Sequence, residues 1–363
     1  MDATSQGKEC TLPQTAPQRI LSIDALRGFD MFWLIGGNEL GRCLFDVHNH
    51  PVTAAVRDQF SHTEWHGFHF EDLIFPLFLF IVGLVLPFSM AKHIQPGQKS
   101  LKLYLHIFKR FAVLFILGML ASGLLLKFNV RWIGVLQRIG FCYVIASILF
   151  LHTGWRFQAF ITAAILLISW PIMTILAMPG FENSIYLNKD FLKAMPKVAE
   201  TGIWIMSIPS TLLGVLAGHW LRSNRTGNRK SAALAVAGAI FVIAALLWDK
   251  AGYLIMFRAW TGSFVLLTAG LSMILLALFY WIIDVKGYRK WAFFFVVIGT
   301  NAILAYWLGR SSIIDFQSIA DFFILGIASR SGIFRPLLSA LGLMIIQWLM
   351  LLFLYRHKIF FKA

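Results

Sequence analysis

From residue 20 onward the chain alternates long apolar runs with short polar breaks. A helix needs about 20 predominantly apolar residues to cross the hydrocarbon of a bilayer. The pattern predicts ten such helices, near 20–39, 73–91, 103–126, 132–152, 155–178, 203–221, 231–248, 259–283, 291–308 and 334–355. The first is only weakly apolar. Segment 311–328 is amphipathic and reads as a re-entrant or surface helix. Neither an internal repeat nor a pair of interrupted helices is visible. The expected organisation is a polar tail over 1–19 and one transmembrane domain over 20–363, an all-α polytopic integral membrane bundle.

Composition sharpens this picture. Hydrophobic residues make up 58% and charged residues 13% of the chain, against about 25% charged in a soluble domain. That excludes a disordered chain, a nucleic-acid-binding domain and an ordinary soluble enzyme. The net charge of +15 is therefore read as topology and not as affinity for nucleic acid. With the N-terminus inside, 18 Lys and Arg lie on the inner side and 12 on the outer. This bias predicts cytoplasmic N and C termini. The inner clusters Lys92–Arg110 and Arg222–Lys230 serve orientation and contact with anionic lipids, and they would also attract a polyphosphate ligand. Cys10, Cys43 and Cys142 form no framework, and the polar first 19 residues do not read as a cleavable signal peptide.

Charged groups inside a span are costly and mark function. The first helix carries Asp24, Arg27, Asp30 and Glu39. At 100° per residue Asp24, Arg27, Asp30 and Asn38 share one stripe of about a third of the circumference, with Asn38 roughly 16 Å along the axis from Arg27. The stripe reads as the wall of a wet cavity. It reads alternatively as an ion-pair network, since Asp24 and Arg27 stand at i,i+3. In the fourth span Arg138 lies about two turns beyond Arg131 and needs an anionic partner, from Asp24, Asp30 or a ligand. In the ninth, Asn301 is a buried amide suited to a polar ligand or to gluing helices.

The second concentration of polar groups is the outer loop FSHTEWHGFHFEDLIFP, residues 60–76. Asp72 stands at the start of an apolar helix, where a carboxylate caps free N–H groups. His62, His66 and His69 raise the question of a metal, but there is no HExxH and Gly67 argues against a regular helix, so no metal is expected. A histidine with its near-neutral pKa also serves as a general base.

These stretches resemble the heparan-α-glucosaminide N-acetyltransferase family and its bacterial relatives, some of them described as transporters associated with N-acetylglucosamine. The resemblance rests on SIDALRG (Asp24, Arg27, Gly28), on Asn38, and on His62, Trp65, Gly67, Asp72, Phe75 and Pro76 in one ungapped run. GVLQRIG, Gly134 to Gly140, matches a further element, and TNAILAY near residue 300 is looser. The resemblance implies transfer of acetyl from cytosolic acetyl-CoA to the amine of a terminal glucosamine on the far side. It implies His62, Asn38 and Asp72 as the catalytic group, and Asp24, Arg27, Arg138 and Asn301 are expected to bind the donor. His66 and His69 replace other residues of the segment, and the long luminal N-terminal domain of the lysosomal enzyme has no counterpart here. The acceptor is therefore less determined than the donor.

Three functions remain open at this level. One is an N-acetyltransferase acting on glucosamine or a related amino sugar, with His62 as base. The second is an O-acetyltransferase of an envelope glycan, and the third an N-acetylglucosamine transporter. A transporter is expected to show inverted repeats and broken helices. The expected surroundings are membrane lipids, an amino-sugar substrate and the bacterial inner membrane, without nucleic acid; a homodimer is one assembly left open.

Overall fold

A computed structural model describes residues 20–46, 50–90, 101–121, 134–176, 196–310, 316–328 and 330–361. The tail 1–19, Arg131 and the whole of the Lys92–Lys99 stretch lie outside the described residues. Every regular element there is a helix, and eight helices are long and apolar enough to cross a membrane. They are α4 (Glu71–Met90), α5 (Leu101–Ala121), α6 (Val135–His152), α7 (Trp155–Leu176), α8 (Pro196–Leu221), α9 (Gly227–Lys250), α10 (Gly262–Tyr280, continued by a π turn to Val285) and α14 (Arg335–Arg356). The fold is a polytopic helical membrane bundle.

The other two predicted spans are both interrupted. The first begins as α1 (Leu21–Phe32), passes through a π turn over Trp33–Gly37 and resumes as α2 (Asn38–Asp46). Gly36 leaves helical geometry there, with φ 158° and ψ −11°. The ninth divides into α11 (Phe293–Thr300) and α12 (Ala302–Arg310) at Asn301. The sequence predicts neither break. Hydropathy averages over a window and is blind to an interrupted hydrogen-bond ladder. A short helix α3 (Pro51–Asp58) occupies the loop before His62, and α13 (Phe316–Ala328) covers the amphipathic segment.

The two interrupted helices pack against each other through glycine. A Cβ on Gly28 would collide with the backbone of Phe295, and one on Gly299 with the backbone of Asp24. Gly83 and Gly214 form the same reciprocal contact between α4 and α8. Lipid tails supply no hydrophobic drive for helix pairing, so close backbone approach through small residues is how such helices gain packing energy. The start of α1 is held from far away in sequence. Ile20 offers no side-chain cap, and Asp284 at the end of α10 accepts from Leu21 N (3.2 Å) and Ser22 N (3.0 Å). These contacts fix α1 beside α11 and the end of α10; α4 and α6 each line both cavities described next, α1 lines one of them and α2 the other.

Candidate active site

His62 sits in a loop that is tied down on both sides. Toward α1, Phe60 stacks on Trp33 with centroids 5.6 Å apart, and Arg42 Nε donates to Phe60 O at 2.7 Å. Toward the other side lies the segment 249–261. His66 Nε2 lies 3.0 Å from Asp249, Gly67 N donates to Ile255 O at 3.0 Å, and Trp65 packs on Tyr253, Met256 and Ala259. Gly67 has φ +113°, a conformation that other residues rarely adopt, which explains the glycine in the His-x-x-Trp-x-Gly run. The segment 249–261 is itself knotted around Thr261, whose hydroxyl donates to Leu254 O and accepts from Met256 N. Within it Trp260 holds the left-handed φ of 52° while buried, a local strain that the surrounding packing sustains.

Asp72 is fully buried. Its Oδ2 accepts from Thr63 Oγ1 (2.9 Å), Thr63 N (3.4 Å) and His69 N (3.0 Å). The bond from His69 N reaches three residues back, so Asp72 does serve the start of α4 as the sequence suggests. Its Oδ1 is left to accept from His62 Nδ1 at 2.8 Å. That network assigns the proton to Nδ1 and leaves Nε2 as the basic nitrogen. The imidazole lies flat on Phe257, with centroids 4.4 Å apart and planes 12° apart. Glu71 Oε1 is 3.8 Å from Nε2, and the other oxygen of Glu71 is held by Arg42 at 3.2 Å.

His62 lines a cavity of about 410 Å³ together with Asn38, Glu71, Phe75, Arg138, Arg258 and Trp260. Asn38 Oδ1, Arg138 Nε and Trp260 Nε1 are buried there without a hydrogen-bond partner among the described residues. The guanidinium of Arg138 rests on the rings of Phe75 (4.9 Å) and Trp260 (5.3 Å). Buried polar atoms are nearly always paired in folded proteins. Three unpaired ones around one cavity mark a place where a polar ligand completes the bonding.

A second cavity, of about 570 Å³, is lined by Asp24, Arg27, Ser89, His106, Arg110 and Thr300, among others. Asp24 and Arg27 also form the i,i+3 pair, at 3.8 Å. Arg110 stacks on Tyr143 at 4.5 Å, and its Nε is buried without a hydrogen-bond partner. The two cavities follow the same helices. On α4 the His62 cavity reaches Phe75 and the Arg27 cavity reaches Phe78. On α6 they take the adjacent residues Arg138 and Ile139. Along these helices the two linings lie within about one turn, roughly 5 Å, of each other, so the partition between them is thin.

The predicted residues thus divide. His62, Asn38, Asp72 and Arg138 come together, and Asp24 and Arg27 gather at the second cavity. Asn301 lines neither. Its amide donates to Ile359 O (3.1 Å) and accepts from Phe361 N (2.9 Å), which secures the segment whose Phe360 and Phe361 close one side of the Arg27 cavity. The three histidines do not converge: His62 meets Asp72, His66 meets Asp249, and His69 Nδ1 lies 2.8 Å from Ser61 O. Among the described residues no group of three His, Cys, Asp or Glu is arranged to hold a metal. Phe257, Arg258, Trp260 and Arg110 are the site residues that the sequence does not single out. The aromatic and basic cluster MFRAWTG just before an apolar helix is the signal that could have marked the first three.

Residues 19–247 match the family model for the catalytic region of heparan-alpha-glucosaminide N-acetyltransferase. The chain belongs to this family. The heparan-alpha-glucosaminide N-acetyltransferase of Homo sapiens is 24% identical over 362 residues, an alignment covering 80% of this chain and 52% of the human protein. The protein of the same name from Mus musculus is 36% identical over 96 residues, 25% of this chain and 15% of the mouse protein. The chain therefore spans about half the length of the human relative. The family match includes every residue of the His62–Asp72 pair, Asn38 and Arg138, and it ends just before the 249–261 segment that docks the His62 loop.

Proposed function

We propose that this chain is a transmembrane acetyltransferase that moves acetyl from acetyl-CoA to the amine of glucosamine or a related amino sugar. The observation that carries the reading is the buried Asp72 fixing His62 with Nε2 open to a cavity. Acetyl-CoA occupies the Arg27 cavity, where Arg27, His106 and Arg110 meet its phosphates, and its pantetheine arm crosses the thin partition. The acceptor nitrogen attacks the thioester carbon while Nε2 takes its proton. The C–S bond then breaks, and CoA leaves as the thiolate. Glu71, near Nε2, stabilises the imidazolium formed. Transfer is direct, with His62 as base and not as acyl carrier.

Family membership and the paired cavities support this reading. A labelled-acetyl assay with purified protein and a panel of amino sugars tests it directly. Acetyl-CoA should also raise thermal stability by mass action, by about 2.7 kcal/mol at a hundred times its Kd. A sugar carrier is the second reading, and the paired interrupted helices at Gly36 and Asn301 favour it. A carrier neither is stabilised by acetyl-CoA nor labels a sugar from it. Transfer to a sugar hydroxyl alone would point to the O-acetyltransferase.

We place the chain in the bacterial inner membrane, and the Lys and Arg bias supports an orientation with the Arg27 cavity cytoplasmic and the His62 cavity outside. A cysteine placed at Ser223, between α8 and α9, should resist a membrane-impermeant thiol reagent in intact cells and react after permeabilisation. Ready labelling in intact cells would reverse the direction of transfer.

A further inference from the structure

Asp30 takes no part in the reaction described above. It is fully buried in α1, and neither of its carboxyl oxygens has a hydrogen-bond partner among the described residues. Buried polar atoms are nearly always paired, and a bare carboxylate left unpaired in such a place is the costliest kind. The helix sets where Asp30 stands between the two cavities. Asp24 and Arg27 line the Arg27 cavity, and Leu34 and Asn38 line the His62 cavity. Asp30 comes three residues after Arg27 and four before Leu34, about 4.5 Å and 6 Å away along the axis. At 100° per residue it lies about 60° around the helix from Arg27 and about 40° from Leu34. It lies about 160° from Gly28, the residue that packs on Phe295. Asp30 lines neither cavity itself. It therefore belongs to the partition between them.

A carboxyl group that carries its proton offers a donor and an acceptor. A secondary amide offers the complementary acceptor and donor, so the two close a cyclic pair of hydrogen bonds. The pantetheine arm of acetyl-CoA is uncharged and contains such amides, which lose their water on entering the partition. A metal cation is the other occupant that a buried carboxyl group takes, but Arg27 and Arg138 line the cavities on the two sides and would repel it. We infer that Asp30 holds the pantetheine arm through a paired hydrogen bond with one of its amides, and so fixes how far the thioester reaches toward His62. This rests on the proposal that acetyl-CoA enters from the Arg27 cavity.

The experiment titrates the full chain in a maltoside detergent with CoA and, separately, with adenosine 3′,5′-bisphosphate, which keeps the nucleotide end and lacks the arm. In the wild type CoA should bind the more tightly. In Asp30→Leu the Kd for CoA should rise about 10- to 100-fold, the worth of a buried amide left unpaired. The Kd for the bisphosphate should stay as it was. Asp30→Asn, whose amide also offers a donor and an acceptor, should bind CoA nearly as the wild type does. Without ligand, Asp30→Leu should unfold at a higher temperature than the wild type, because it removes an unpaired buried polar group. A residue kept only for packing would lower that temperature instead. Asp30→Ala makes the same comparison of ligands if leucine overfills the site. An unchanged Kd for CoA in Asp30→Leu overturns the inference. So does an equal loss for both ligands, or an Asp30→Asn variant as weak as Asp30→Leu. A wild type that binds neither ligand would sink the donor reading itself. Binding of both that ignores Asp30 leaves that reading standing and removes only this residue from it.

Discussion

His62→Ala should lose acetyl transfer by about 10²–10⁴-fold, the usual worth of a positioned general base, while acetyl-CoA still stabilises the protein. The expectation follows from the separation of the two cavities, since His62 lines one and Arg27 and Arg110, proposed to hold the donor, line the other. Asp72→Asn should fall as well, for a different reason. The asparagine amide can present N–H where the carboxylate presented an acceptor, so Nδ1 would no longer donate and the basic nitrogen would be exchanged for the wrong tautomer. Asp72 also holds Thr63 and His69, so its variant should carry a stability loss that His62→Ala does not share. His66→Ala should act on loop docking through Asp249 and cost less in transfer. Steady-state labelling with the three variants, paired with thermal shifts, separates these outcomes. Full activity in His62→Ala would end the assignment of the base.

The helical bundle was legible because membrane spans are long and hydropathy integrates over their length. The His62 loop was legible because its residues are contiguous and chemically unusual: a base, an aromatic anchor, a glycine and a carboxylate before an apolar run. What stayed hidden has physical reasons. The break at Gly36 occurs in a stretch whose composition reads as ordinary span, and Asn301 interrupts a run that hydropathy averages through. The docking of the loop joins His66 to Asp249, 183 residues later, and nothing local to either residue announces it. Arg110 was visible as part of a basic cluster that sets topology. Its stacking on Tyr143 at a cavity wall depends on how α5 meets α6. Arg138 is expected from the sequence to bind the donor together with Arg27, since a buried arginine needs an anionic partner. One residue of offset on α6, between Arg138 and Ile139, assigns it to the other cavity.

That reassignment changes what Arg138 is expected to do. If it paired with the donor's phosphates, a variant would weaken acetyl-CoA binding and leave kcat close to its former value. It lines the His62 cavity instead, where under the proposed reaction it would face the reacting carbonyl. Its guanidinium is locked against Phe75 and Trp260, and its buried Nε has no partner. A donor fixed in this way, in a site shielded from water, gains most when negative charge develops on the thioester oxygen. Arg138→Gln should therefore lower kcat by about 10²–10³-fold with little change in the KM for acetyl-CoA, the range for loss of one oxyanion donor. Arg138→Lys should recover only part, because an ammonium cannot keep the planar stack on both rings. Asn38→Ala tests the opposite wall. In the proposed reaction its unpartnered amide oxygen would accept an N–H of the acceptor and aim the nitrogen at the carbonyl, and losing that aim would be worth about 10²-fold. The loss in Asn38→Ala should depend on which acceptor is offered, whereas the loss in Arg138→Gln should be the same for all. A rise in the KM for acetyl-CoA with unchanged kcat in Arg138→Gln would return this arginine to the donor and leave the oxyanion without a side chain to hold it.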